Sequence, residues 1–205
     1  MTTSLEDTLV DVRRAYRLIA DYQQRLIELL AFIRSELGAT PYHQYFRKKS
    51  PKKFAGLETS VDAGIRFLPL LDVSVLSLRN DGQEAAYDNH RPGDLLIAID
   101  FISDSGTSEY YKHMSIKTAE ESSSELSIQF IVCDEPVSAP FNWYYKVWGK
   151  FGIDILNEAY SREEIPGYRG YRENISLSKF ADEQSIRDEI AALRQRASKK
   201  LGIEI

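Results

Sequence analysis

Three aspartates on or beside one strand-like run, Asp94, Asp100 and Asp104, are the residues of this chain best suited to chemistry. Clustered carboxylates are what a metal-dependent phosphodiester-cleaving site needs. Spacing argues against it. At about 3.3 Å per residue, a straight strand separates Asp100 from Asp104 by roughly 13 Å, too far for one ion. The next strand-like run offers Ser127 and Gln129 on the equivalent face, with no acid-x-Lys pattern. The carboxylates are therefore expected to mark a solvent face and a strand end. His43, His90 and His113 are isolated from one another, never at metal-ligand spacing. Cys133 is the single cysteine and directly follows Val132 on an apolar run, which predicts a buried structural thiol rather than a nucleophile. Neither a Gly-x-x-x-x-Gly-Lys phosphate loop nor a Gly-x-Gly-x-x-Gly turn occurs. No catalytic residue, metal ligand or cofactor is assigned.

Binding chemistry has two candidate stretches. From Tyr42 to Phe54 the chain carries basic and aromatic residues and no acid. Cations neutralise phosphates and aromatic faces stack bases, so Tyr45, Arg47, Lys48, Lys49, Lys52 and Lys53 form a candidate nucleic-acid set. Arg169 and Arg172, from the doubled Gly-Tyr-Arg at 167–172, would join it if the fold made one surface of them. The plainer expectation is a solvated connection at 42–54 and a mobile surface loop at 166–172. A dense aromatic block, with Phe141, Trp143, Tyr144, Tyr145, Trp148 and Phe151, either lines a ligand cleft or packs the core. Core packing is the expected role.

These stretches are carried by elements with clear patterns. Leu5 to Leu37 contains neither glycine nor proline. Its apolar positions Leu5, Leu9, Val12, Tyr16, Ile19, Leu26, Leu30, Ile33 and Leu37 advance in steps of four and three, interrupted only by Gln23. That spacing draws one seam along a helix. The half from Leu26 to Ile33 is apolar nearly all round and should be buried, whereas the first half keeps a single stripe. Gly38 ends the helix. Alternation at 94–102 and at 125–133 predicts strands with Leu95, Ile97, Ile99 and Phe101, and Leu126, Ile128, Phe130 and Val132, on their core faces. Weaker strand signals lie at 64–71, 72–79 and 110–117, and Asn80-Asp81-Gly82 reads as a turn. A last helix, starting near Asp182 or Ser185, carries the stripe Ile186, Ile190, Leu193, Ala197 and Leu201 and stops at Gly202.

The expected fold is α+β within a single domain, 1–205. A long helix at 5–37 precedes an antiparallel meander of about four to six strands, mainly at 61–151. A C-terminal helix at 182–201 packs beside the first. With 26 basic against 31 acidic residues the net charge is −5, so any polyanion contact must be local. Arg and Glu interrupt every candidate membrane span, and the opening residues lack a signal-peptide pattern, so cytoplasmic location is expected. With no catalytic constellation, the functional expectation is a non-enzymatic interaction protein that self-associates, as a homodimer, through Leu5, Leu9, Val12, Tyr16 and Ile19. The alternative is nucleic-acid binding through the basic stretch, and a metal-dependent nuclease comes third.

Overall fold

The computed structural model describes residues 5–46, 64, 68, 72–80, 89–107, 118–137 and 141–205. The chain divides into two compact units, Met1–Leu37 and Gly38–Ile205. The first is a single helix, α1 (Leu5–Glu36), whose unbroken seam and early acids Glu6 and Asp7 favour the helical state. It ends where Leu37 still bonds back to the Ile33 carbonyl and Gly38 takes φ of 61°, a left-handed conformation that costs glycine little. Burial changes along the seam. Leu26, Ile33 and Leu37 are buried, whereas Leu5, Leu9, Val12 and Tyr16 are exposed.

The second unit is built on a six-stranded antiparallel sheet: β1 (Thr40–Phe46), β2 (Asp72–Arg79), β3 (Leu95–Ile102), β4 (Glu125–Cys133), β5 (Ala159–Ser161) and β6 (Tyr168–Ser176), in the spatial order β1-β2-β3-β4-β6-β5. A π-helix (Trp143–Trp148) and one helical turn, α2 (Gly149–Phe151), precede β5, and α3 (Glu183–Leu201) closes the chain. Fold class and the central strands agree with the sequence. In the register, Leu95, Ile97, Ile99 and Phe101 lie opposite Val132, Phe130, Ile128 and Leu126, so the two apolar sets share one face. α3 packs against β6 and buries Ile190, Leu193, Ala197 and Leu201. Its start is fixed by Asp182, whose carboxylate accepts from the Ser185 amide while the Ser185 hydroxyl is bonded in return by the Asp182 amide. Gly202 ends it at φ of 69°.

The sheet reaches further along the chain than 61–151. The first residues of the basic-aromatic stretch are an edge strand, β1, with a register shift between Pro41 and His43 where proline cannot donate to the ladder. More consequentially, the Gly-Tyr-Arg repeat is not a surface loop. Tyr168–Ser176 is β6, paired with β4 on one side and β5 on the other. Gly167, at φ of 84°, turns the chain into it and accepts from the amides of Asp134 and Glu135 through its carbonyl. The strand expected at 110–117 lies outside the described residues, as do Asp81 and Gly82 of the expected turn and most of 64–71. No helix among the described residues is long and apolar enough to cross a membrane.

Candidate functional site

The aromatic block divides into an inward and an outward set. In the π-helix each turn is wider than in an α-helix, so residues four apart stay near one face. Trp143 and Val147 point inward, and Phe151 continues the same face; all three are buried against Leu76, Leu96, Ala98 and Ile131 of the sheet. Asn142 fixes the start of the element by accepting from the Tyr145 amide at 3.0 Å. Tyr144, Tyr145 and Trp148 are left on the outer side. With Tyr45 from β1 and the backbone at Gly149, Gly152 and Ile153, they line a cavity of about 500 Å³. Tyr144 is its hub: its ring centre lies 5.4 Å from that of Trp148 in a stacked arrangement and 4.6 Å from Tyr145 edge-on. His43 leans on it from β1 at 4.1 Å. Burial, and then the nearby Tyr45 and Tyr145 hydroxyls, push the Tyr144 phenol above its ordinary pKa, so it remains a neutral donor at physiological pH. Core packing was expected of the whole block; Phe141, Tyr144 and Trp148 do pack against the core from its edge, and Tyr144, Tyr145 and Trp148 line the cleft as well.

Deeper in the same unit, His90 stacks on Trp143 with ring centres 3.8 Å apart, and its Nδ1 lies 2.6 Å from the Tyr168 hydroxyl. That hydroxyl also bonds Cys133. Cys133 is fully buried, and burial pushes its thiol up to about 11 despite the Tyr168 bond. The group is a thiol at neutral pH. It is a structural cysteine.

The sheet face carrying this apolar cluster turns polar towards its other end. Ser74, Asp100, Ser127 and Asn174 lie side by side across β2, β3, β4 and β6. Arg172 sits two pairs along the ladder on the same face, opposite Gln129. Its Nε donates to Ser127 Oγ at 2.6 Å and its Nη2 to Asp100 Oδ2 at 3.3 Å. Ser127 donates on to Asn174, and Asn174 to Glu125 at 3.1 Å. Asp100 and Arg172 are 2% and 0% exposed, so two expectations change together. Asp100 does not mark a solvent face, and Arg172 is not on a surface where it can meet nucleic acid. Each is buried because the other is there to offset its desolvation.

The remaining carboxylates are caps. Asp94 accepts from the Arg91 amide at 2.7 Å, and Asp104 from the Gly106 amide at 2.9 Å. Among the described residues, no three of His, Cys, Asp and Glu are grouped so that they could hold a metal ion. Arg169 is half-buried and holds Asp134 through two nitrogens, at 2.5 and 2.7 Å, as well as the Leu201 carbonyl. It projects from the opposite sheet face to Arg172, because neighbours an odd number apart on a strand alternate. The structure therefore does not bring Arg169 and Arg172 together. Arg47, Lys48, Lys49, Lys52 and Lys53 lie outside the described residues, and Tyr45 belongs to the aromatic cleft.

In the helical unit, Leu5, Leu9, Val12 and Tyr16 form an unbroken exposed row, and Ile19, at its end, is half-buried. Exposed ion pairs flank the row: Glu6 with Arg13 at 3.1 Å and Asp11 with Arg14 at 2.9 Å.

The sequence pattern of a protein family designated PM0109 matches residues 2–202. The chain belongs to the PM0109 family. It is 35% identical over 204 residues to a protein of Pasteurella multocida (strain Pm70) named "Uncharacterized protein PM0109", and the alignment covers 96% of each chain. No solved structure matches. Membership thus extends over both units, α1 included, and carries no statement of chemistry.

Proposed function

We propose that this chain is a non-enzymatic interaction protein of the cytoplasm that works through its surfaces and self-associates through the N-terminal half of α1. One observation carries the reading. A single heptad seam is buried at Leu26, Ile33 and Leu37 yet stands 76, 42, 44 and 72% exposed at Leu5, Leu9, Val12 and Tyr16. Scattered apolar residues on a surface need no explanation, but a contiguous row in helical register is the composition of an interface. A second copy of the chain presents the same row and supplies a matching face. The cytoplasmic placement rests on the sequence, whose single Cys133 leaves no intrachain disulfide framework to form.

Light scattering coupled to size exclusion tests this. The native chain should run with twice the mass of its 23.5 kDa sequence. Leu9→Lys with Val12→Lys should run as a folded monomer, since both side chains are exposed within the chain itself. Equal masses for the two proteins would overturn the reading. Nucleic-acid binding remains the alternative and rests on composition at 42–54; fluorescence anisotropy with labelled RNA and DNA at two salt concentrations addresses it directly.

A further inference from the structure

We infer that the partner taken by the exposed half of α1 is a second copy running antiparallel, in the register that sets Glu6 of each helix against Arg13 of the other. This rests on the self-association reading and specifies its geometry. Leu5, Val12 and Ile19 form one series of the seam, and Leu9 and Tyr16 the other. The residues that flank a paired seam are then Glu6, Arg13 and Ala20 on one side and Thr8, Ala15 and Tyr22 on the other. Only the first flank carries charge. Its charged members share one side of the helix, as the 3.1 Å bond between Glu6 and Arg13 within the chain shows.

In a parallel pair, opposite flanks meet, so Arg13 would face uncharged Thr8 and the charges would select nothing. In an antiparallel pair like flanks meet, and the register decides which charges face each other. Pairing Leu9 with the second copy's Val12, and Leu5 with its Tyr16, brings Glu6 beside Arg13 twice about the two-fold axis. Sliding one heptad one way sets Glu6 against Glu6. Sliding one heptad the other way sets Arg13 against Arg13. Of these three registers one is attractive and two are repulsive, which is how flanking charges fix orientation and register. The attractive one also uses the four most exposed seam residues, Leu5, Leu9, Val12 and Tyr16, over about 17 Å of helix. The next slide, by two heptads, would bring polar Gln23 into the seam opposite Val12 and call on Leu26, which is already buried.

Charge reversal in separate chains isolates the prediction. Glu6→Arg and Arg13→Glu, each alone, replace two attractive contacts with two repulsive ones and should weaken the dimer roughly tenfold, measured by sedimentation equilibrium. An equimolar mixture should recover the native association constant by forming heterodimers, because each Arg then meets a Glu of the other chain. The contact within one helix cannot be repaired by mixing, so recovery in the mixture separates the two explanations. Circular dichroism should show both variants folded. A native dimer whose variants gain nothing on mixing overturns the antiparallel register and leaves the self-association reading standing. A native chain that is monomeric at all concentrations overturns both.

Discussion

Arg172 on β6 reaches past Ser127 on β4 to the carboxylate of Asp100 on β3, so one side chain ties three consecutive strands together inside the sheet. Neither charge has access to solvent. The pairing of the two, with the Ser127 hydroxyl between them, offsets the cost of burying each, so removing one partner leaves a buried charge short of its compensation. Asp100→Ala and Arg172→Ala should each lower unfolding free energy by about 3–5 kcal/mol. Asp100→Leu with Arg172→Met together should cost clearly less than the sum of the single changes. Urea denaturation gives all the values, and strict additivity would show that the pair is not coupled.

The same pair shows why part of this fold was hidden in the sequence. β3 and β4 were legible because one face of each is apolar, and α3 because Asp182, Ser185 and Gly202 mark its ends. β6 carries Gly170, Arg172 and Asn174 on one face and Arg169, Tyr171 and Glu173 on the other, so apolar alternation fails on both. Its polar face is buried only because Asp100 and Ser127, 72 and 45 residues away, come to meet it. No local signal encodes that. β1 was obscured by Pro41 and by the basic run that follows it. The α1 seam was legible, but its second half is buried along the seam at Leu26 and Ile33 and not all round, since Ile27 beside them is 53% exposed. The aromatic block was visible as a cluster, but its division required the π-helical phase, which places Trp143 and Val147 inward and Tyr144 and Trp148 outward.

Gly170 on β6 is pressed by the Phe151 ring, and a methyl group there would overlap it. Phe151 is itself fully buried, so the ring has no room to swing away. Gly170→Ala should therefore destabilise by about 1–3 kcal/mol, the usual cost of overpacking. Adding Phe151→Leu should make the alanine less costly than it is in the native background. A Gly170→Ala protein as stable as the parent would show that the ring and strand relax freely.

Cys133 should be chemically silent in the folded chain. Burial holds its pKa at about 11, above the ordinary thiol value, and leaves no path for a reagent. A disulfide reagent at neutral pH should react at the rate of unfolding and rapidly once urea is added. The raised value also has a stability consequence. A thiol that ionises less readily when folded contributes its full stability below the unfolded pKa and loses it as pH rises through the folded one. Alkaline destabilisation between about pH 9 and 11 should accordingly be shallower in Cys133→Ala than in the native protein.

The two tryptophans report the division of the aromatic block. Trp143 is 2% exposed and stacked on His90, whereas Trp148 lines the cleft. In Trp148→Phe, fluorescence comes from Trp143 alone and should be almost untouched by iodide, which cannot enter a packed interior. In Trp143→Phe it comes from Trp148 and should be quenched severalfold more steeply. A ligand that fills the cleft should shield Trp148 from iodide and leave Trp143 unchanged, which makes the Trp143→Phe protein a direct screen for occupants. Equal quenching of the two variants would mean that the π-helix does not hold its two faces apart.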